Sequence, residues 1–171
     1  QYGTSFGYPI SAVGSHVSAV PNHQTGRITS LHTRGVVAMA GTFGYELNLG
    51  KLSEEEKEEI RSQVEEYRKF APLIQTGLYY RLSDPSKEEY AAWAFVSEDQ
   101  KEVLLNVVMQ EIHGNMTVNY VNLQGLKCSA VYRDTETGKT YNGAALMEAG
   151  IPMPGEMGEF KAYQMHLAAE E

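Results

Sequence analysis

The chain has 171 residues, with 14 basic and 22 acidic side chains and a formal net charge of −8 at neutral pH. At roughly 100–200 residues per domain this is one domain or two small ones, with enough chain to bury a core. The acidic balance argues against a nucleic-acid partner, whose phosphates demand clustered Lys and Arg.

No run approaches the roughly 18 apolar residues of a membrane span, so no membrane partner is expected either. The single cysteine, Cys128, has no internal disulfide partner, and a reducing, cytoplasmic compartment is expected. The chain opens at Gln1 with neither Met nor a signal peptide, in a segment that already reads as mid-domain, and is expected to be a fragment.

Ser15 to Val20 reads as a short buried strand ended by Pro21, and Leu31 to Ala40 as a helix with Thr29 or Ser30 as its cap. Gly41 closes that helix, and Thr42 to Leu49 reads as a second strand with Phe43, Tyr45, Leu47 and Leu49 on one face. A longer helix follows. Ser53 is its N-cap, Glu56 three residues on completes a capping box, and the first-turn glutamates favour the positive end of the dipole. Ile60, Val64, Tyr67 and Ala71 recur on one helical stripe; Pro72 is expected to disrupt or kink the run and Gly77 to stop it. Strand, helix, strand, helix is two consecutive βα units, the repeating element of a parallel α/β fold.

After Gly77 the pattern changes. Leu78 to Leu82, Tyr90 to Val96, Val103 to Met109, Met116 to Leu123, Cys128 to Arg133 and Phe160 to Leu167 read as strands. Residues 97–101 and 134–139 between them are polar hairpin connections. Strands joined by short turns mean an antiparallel sheet or sandwich.

Two βα units cannot close a parallel barrel, since a (β/α)₈ barrel needs about 250 residues. The expected fold class is therefore α/β followed by all-β. Residues 1–77 would be the last two βα units of a (β/α)₈ TIM barrel, and residues 78–171 an antiparallel β domain.

The run from Gly14 to Arg27, Gly-Ser-His-Val-Ser-Ala-Val-Pro-Asn-His-Gln-Thr-Gly-Arg, resembles the late-barrel sequence of bacterial α-galactosidases of glycoside hydrolase family 36. The resemblance extends to Tyr2-Gly3-Thr4-Ser5 with Tyr8-Pro9, to Thr33-Arg34-Gly35, and to the run from Ala40 to Leu47. Lys51 to Glu56 resembles the opening of that family's final barrel helix, and Val96 to Asp99 with the closing strands resembles its C-terminal β domain. The match is specific before Leu82 and looser after it.

The resemblance implies a retaining exo-glycosidase that removes terminal α-linked galactose from melibiose and raffinose-type sugars, with no cofactor. Such enzymes use one aspartate as nucleophile and one as acid/base, and the resemblance puts both upstream of Gln1. The residue count agrees: Asp84 is the first aspartate in the chain, and Glu46 is the sole acidic side chain before the long helix. No catalytic residue is therefore expected within the chain. An α-galactoside substrate and a homo-oligomer are the partners expected of the parent protein.

Residues at strand C-termini line the active-site face of such a barrel. His16, Asn22 and His23 flank a strand end, so they are the candidates for the rim of a sugar pocket. Their alternative use is to hydrogen-bond the loop and orient its backbone. No metal is expected at the histidine pair, because a third ligand at suitable spacing is missing. Gly26 reads as a turn, Arg27 as an ion-pair partner and Cys128 as a core thiol in a strand. Two rival classes are kept: a non-catalytic carbohydrate-binding module, which would display some of the aromatics after Gly77 as an exposed platform, and a structural or oligomerisation β module.

Overall fold

The computed structural model describes residues 2–114, 118–153 and 158–170. They form two compact units, residues 1–75 and 76–171.

In the first unit, strand β1 (Gly14–Ser18) leads through a loop to helix α1 (Leu31–Ala38), strand β2 (Thr42–Glu46) and helix α2 (Glu54–Thr76). β1 and β2 pair in parallel, with Gly14 opposite Thr42 and Ser18 opposite Glu46. Ser30 caps α1 by accepting the Thr33 N–H at 3.1 Å. At α2 the capping box closes in both directions: Ser53 N–H donates to Glu56 Oε2 at 2.9 Å, and Glu56 N–H donates to Ser53 Oγ at 3.2 Å.

Val17, Leu31 and Ala38 form the centre of this unit's core, with Phe43, Tyr45, Leu47 and Ile60 packed against them. A buried polar clasp reinforces it. Gln63 of α2 donates to the Leu31 carbonyl at 3.1 Å and accepts from the Tyr45 hydroxyl at 2.8 Å, so one side chain ties α1, β2 and α2 together. Gly41 leaves the turn between α1 and β2 room to close, because a Cβ there would sit 2.3 Å from the Val13 carbonyl oxygen.

Two expectations for this unit need correction. β2 ends at Glu46, not Leu49: the Asn48 side chain accepts the Gly50 N–H and turns the chain, which leaves Leu49 exposed. α2 also runs through Pro72 to Thr76. Proline forfeits one backbone hydrogen bond, and burial of Phe70, Leu73 and Ile74 holds the final turn in place.

The second unit is built on a six-stranded antiparallel sheet. In chain order its strands are β3 (Leu78–Arg81), β4 (Tyr90–Val96), β5 (Glu102–Met109), β7 (Val131–Asp134), β8 (Thr140–Asn142) and β10 (Ala162–Ala169). In space they run β3-β4-β5-β10-β7-β8. β6 (Tyr120–Val121) and β9 (Ile151–Pro152) make a separate two-stranded ribbon, and α3 (Gly143–Glu148) lies between β8 and β9 in sequence.

One face of the large sheet carries Tyr90, Ala92, Ala94 and Val96 of β4 and Val103, Leu105, Val107 and Met109 of β5. Val121, Leu123, Leu126, Leu146, Ile151 and Met153 cover it. Trp93, Phe95 and Leu104, on the alternate positions, are also buried, and so is the polar Asn106, whose Oδ1 accepts from Gln164 of β10 at 2.8 Å.

The expected hairpins form at both turns. Ser97 N–H donates to the Glu102 carbonyl at 2.9 Å across the first, and Asp134 N–H to the Lys139 carbonyl at 2.8 Å across the second. Gly138 takes φ +74°, a conformation that suits glycine.

Three strand expectations are corrected. Of the strand expected from Met116 to Leu123, Tyr120–Val121 is the part that pairs among the described residues, with Ile151–Pro152 outside the main sheet; Met116 and Thr117 lie outside the described residues. The last strand starts at Ala162, two residues later than expected: Phe160 sits at φ +56°, outside the extended region, although its N–H still donates to the Met109 carbonyl at 2.7 Å. The strand expected at Cys128 begins only at Val131. Lys127 to Ala130 is a turn closed by Ala130 N–H to the Lys127 carbonyl at 3.0 Å, and Cys128 is exposed, not a core thiol. The Cys128 carbonyl instead accepts the Ala144 N–H at the start of α3.

Candidate functional site

The side chains of β1 and β2 alternate between two faces. Ser15, Val17, Phe43 and Tyr45 share one; Val17 is buried there, with Phe43 and Tyr45 packed against its cluster. Gly14, His16, Ser18, Thr42, Gly44 and Glu46 share the other. That second face is polar and open: a Cβ built on Gly14 or Gly44 meets no atom within 4 Å. Across it His16 Nε2 donates to Glu46 Oε2 at 2.9 Å, with the two side chains 51% and 77% exposed.

The loop after β1 carries the other two rim candidates. The Asn22 side chain folds back on its own loop. Its Oδ1 accepts the Gln24 and Thr25 N–H groups, each at 3.0 Å, and the Thr25 hydroxyl at 3.1 Å. Gly26 completes the turn at φ +69°, its N–H donating to the Asn22 carbonyl at 2.8 Å. His23, at the tip of this turn, is exposed and makes no hydrogen bond to a described residue.

Arg34 of α1 fastens the loop at both ends. Its Nη1 donates to the Ser18 carbonyl at 2.6 Å and its Nε to the Thr29 carbonyl at 3.2 Å. Burial pulls the Arg34 guanidinium below its ordinary pKa, against the opposing effect of Glu56 and Glu59. Below the sheet, burial and then the nearby Glu59 charge push the Tyr45 phenol up to about 12, so it stays a neutral donor to Gln63.

The structure thus separates the three rim candidates by what they hold. Asn22 braces the loop, His23 projects from it, and His16 lies on the open strand face beside Glu46. Sequence reasoning named Glu46 only as a solitary carboxylate. Its signal was its place: a charged residue flanked by Tyr45 and Leu47, as His16 is flanked by Ser15 and Val17. Among the described residues no group of three or more His, Cys, Asp or Glu side chains is arranged to hold a metal ion.

Comparison with known proteins decides the family. The model described as Melibiase matches residues 1–77, and the glycosyl hydrolase family 36 C-terminal domain matches residues 90–167. The chain belongs to glycoside hydrolase family 36. It is 59% identical over 96% of its length to the bifunctional alpha-galactosidase/sucrose kinase AgaSK of Mediterraneibacter gnavus, and 46% identical over 99% to the alpha-galactosidase AgaA of Geobacillus stearothermophilus. It spans 18% and 23% of those two proteins' lengths. Among solved structures, the galactosidase domain of AgaSK matches 99% of the chain with a TM-score of 0.96 and 57% identity, and the chain covers 24% of that domain. A variant of AgaA solved in complex with raffinose matches with a TM-score of 0.95 and 45% identity, and the chain again covers 24%.

In the second unit, Trp93, Phe95 and Tyr132 are buried and Tyr120 is the exposed aromatic ring among the described residues. One exposed ring is a poor platform for stacking pyranose faces, which weakens the carbohydrate-binding-module alternative.

Proposed function

We propose that the chain is the C-terminal part of an α-galactosidase that hydrolyses terminal α-linked galactose from oligosaccharides such as melibiose and raffinose with retention of configuration. The carrying observation is that a Melibiase-type βαβα unit and a family 36 C-terminal domain follow one another in one chain. AgaA, solved with raffinose, is a structural relative across nearly the whole length, which supports the substrate class.

In this reading β1-α1-β2-α2 are the last two βα units of the (β/α)₈ barrel. The helix-covered face of β1 and β2 is the barrel wall, and the open face carrying His16 and Glu46 is its lining. The catalytic aspartates lie on earlier strands, since residues before Asp84 include none and one carboxylate cannot serve as both nucleophile and acid/base. His16 and His23 contribute to the rim of the sugar pocket. Asn22 joins them by holding the loop in shape. The parent enzyme is cytoplasmic and homo-oligomeric. No helix among the described residues is long and apolar enough to cross a membrane, which is consistent with that location.

The test is a kinetic one on the full-length parent. Turnover of a chromogenic α-galactoside, with the released sugar keeping its anomeric configuration by NMR, is the expected result; absence of turnover, or inversion, rejects the reading.

A further inference from the structure

We propose that Glu46 is a positioning residue for the sugar pocket: it fixes the imidazole of His16 so that Nδ1 is presented to a hydroxyl of the bound galactoside. The inference rests on the barrel reading above and goes beyond it by giving Glu46 a role and His16 an orientation.

Four observations lead there. A carboxylate can only accept, so the 2.9 Å contact with Glu46 Oε2 puts the ring proton on Nε2. The other ring nitrogen, Nδ1, makes no hydrogen bond to a described residue. In the neutral ring Nδ1 is then an acceptor, and a sugar hydroxyl is a suited donor.

Second, Glu46 closes β2 at its C-terminal end, opposite Ser18, and His16 stands two residues before the end of β1 on the same uncovered face. This is the end at which βα-barrel enzymes bind substrate.

Third, the positions around the pair are small. Gly14, Ser18, Thr42 and Gly44 share its face, and the two glycines have open space where a side chain would stand. Glycine within a strand costs stability and often marks close approach by a ligand or another backbone.

Fourth, stability does not explain the pair. Both side chains are more than half exposed, and such surface ion pairs contribute little. The clasp that does hold this unit together, Gln63 with Leu31 and Tyr45, lies among the elements on the helix side.

The test is a double-mutant cycle in the full-length parent enzyme. His16→Ala and Glu46→Ala should each lower kcat/KM on an α-galactoside by about tenfold, the scale of one hydrogen bond to a buried polar ligand group. Because Glu46 acts through His16, the double variant should lose no more than His16→Ala alone. Glu46→Gln, whose amide oxygen still accepts the Nε2 proton, should recover most of the activity. Melting temperatures should stay within about 2 °C of the parent.

Losses that multiply in the double variant overturn the proposal, as do unchanged kinetics or a fall in melting temperature with kinetics intact. If Glu46→Ala does not fold, the conservative Glu46→Gln and a Glu46→Leu variant carry the comparison. An unmodified parent that turns over α-galactosides while every variant matches it rejects this inference alone. A parent without such turnover rejects the functional reading and this inference with it.

Discussion

The two sheets of this chain are finished to different degrees. In residues 76–171, β4 is buried on both faces and β5 is buried from Val103 to Met109. In residues 1–75, β1 and β2 bury Ser15 and Val17, while His16, Thr42 and Glu46 on the opposite face stand exposed. A strand pair buried on both faces leaves no open face for a ligand. A sheet with one packed face and one polar, glycine-bearing face is shaped to meet something else. In a βα barrel that something is the rest of the barrel and its ligand.

The largest effect that would sharpen this contrast comes from cutting the chain. Residues 78–171 alone should unfold cooperatively and show strong hydrogen-exchange protection in β4, β5 and β10, because some 90 residues with a covered sheet face can form a core. Residues 1–77 alone should not show a cooperative transition, since two parallel strands leave unpaired edges. Strong protection of Gly14–Ser18 in the short piece would break the contrast.

A smaller loss is expected on replacing the polar clasp of the first unit. Gln63→Ala strands the Tyr45 hydroxyl and removes a second donor from the Leu31 carbonyl, and should destabilise that unit by about 1–3 kcal/mol in urea unfolding. A change below about 0.5 kcal/mol would mean the clasp is not what joins α1, β2 and α2.

At the loop tip the expected change is in function. His23→Ala in the full-length parent should reduce catalytic efficiency by about twofold to twelvefold, the worth of one hydrogen bond of about 0.5–1.5 kcal/mol, with melting temperature nearly unchanged. Loss of stability with intact kinetics would move His23 from pocket rim to scaffold.

The smallest effect belongs to the β7–β8 turn. Burial works against ionisation of Asp134, but hydrogen bonds from the Thr137 hydroxyl and the Glu136 and Thr137 backbone outweigh it and hold its pKa below the ordinary carboxylate value. A folded-state pKa below the unfolded one gives stability that is present above about pH 4 and lost as pH falls through the folded value. Asp134→Asn should therefore flatten the acid limb of the melting-temperature profile below about pH 4 and leave the limb above it parallel to the parent.

Features encoded within a few residues were legible in the sequence. The capping box at Ser53 and Glu56, the stripe of α2 and the polar turns at 97–101 and 134–139 depend on local chemistry alone. Features that depend on what a segment packs against were not. Thr117 and Asn119 alternate with apolar residues like a half-buried strand, yet among the described residues of that run Tyr120–Val121 is the part that forms a strand, with β9. Cys128 sits between residues that suit a strand, but the start of α3 takes the carbonyls of Cys128 and Ala130. That helix had a signal: Asn142, whose Oδ1 accepts the Ala144 N–H at 2.9 Å, heads a run of helix formers. The His16–Glu46 contact needs the parallel register of β1 and β2, which is fixed only when Val13, Gly41 and Thr42 close the turn, and no local pattern announces it.

The most direct measurement sets the isolated chain of residues 1–171 beside its full-length parent in one assay, on a chromogenic α-galactoside at equal molar concentration. The parent should turn the substrate over and the isolated chain should match a buffer blank, because in the proposed reading it presents one wall of the pocket without the aspartate pair. Turnover by the isolated chain that is lost in Glu46→Gln would place the chemistry on this face and contradict the division of labour between wall and catalytic pair.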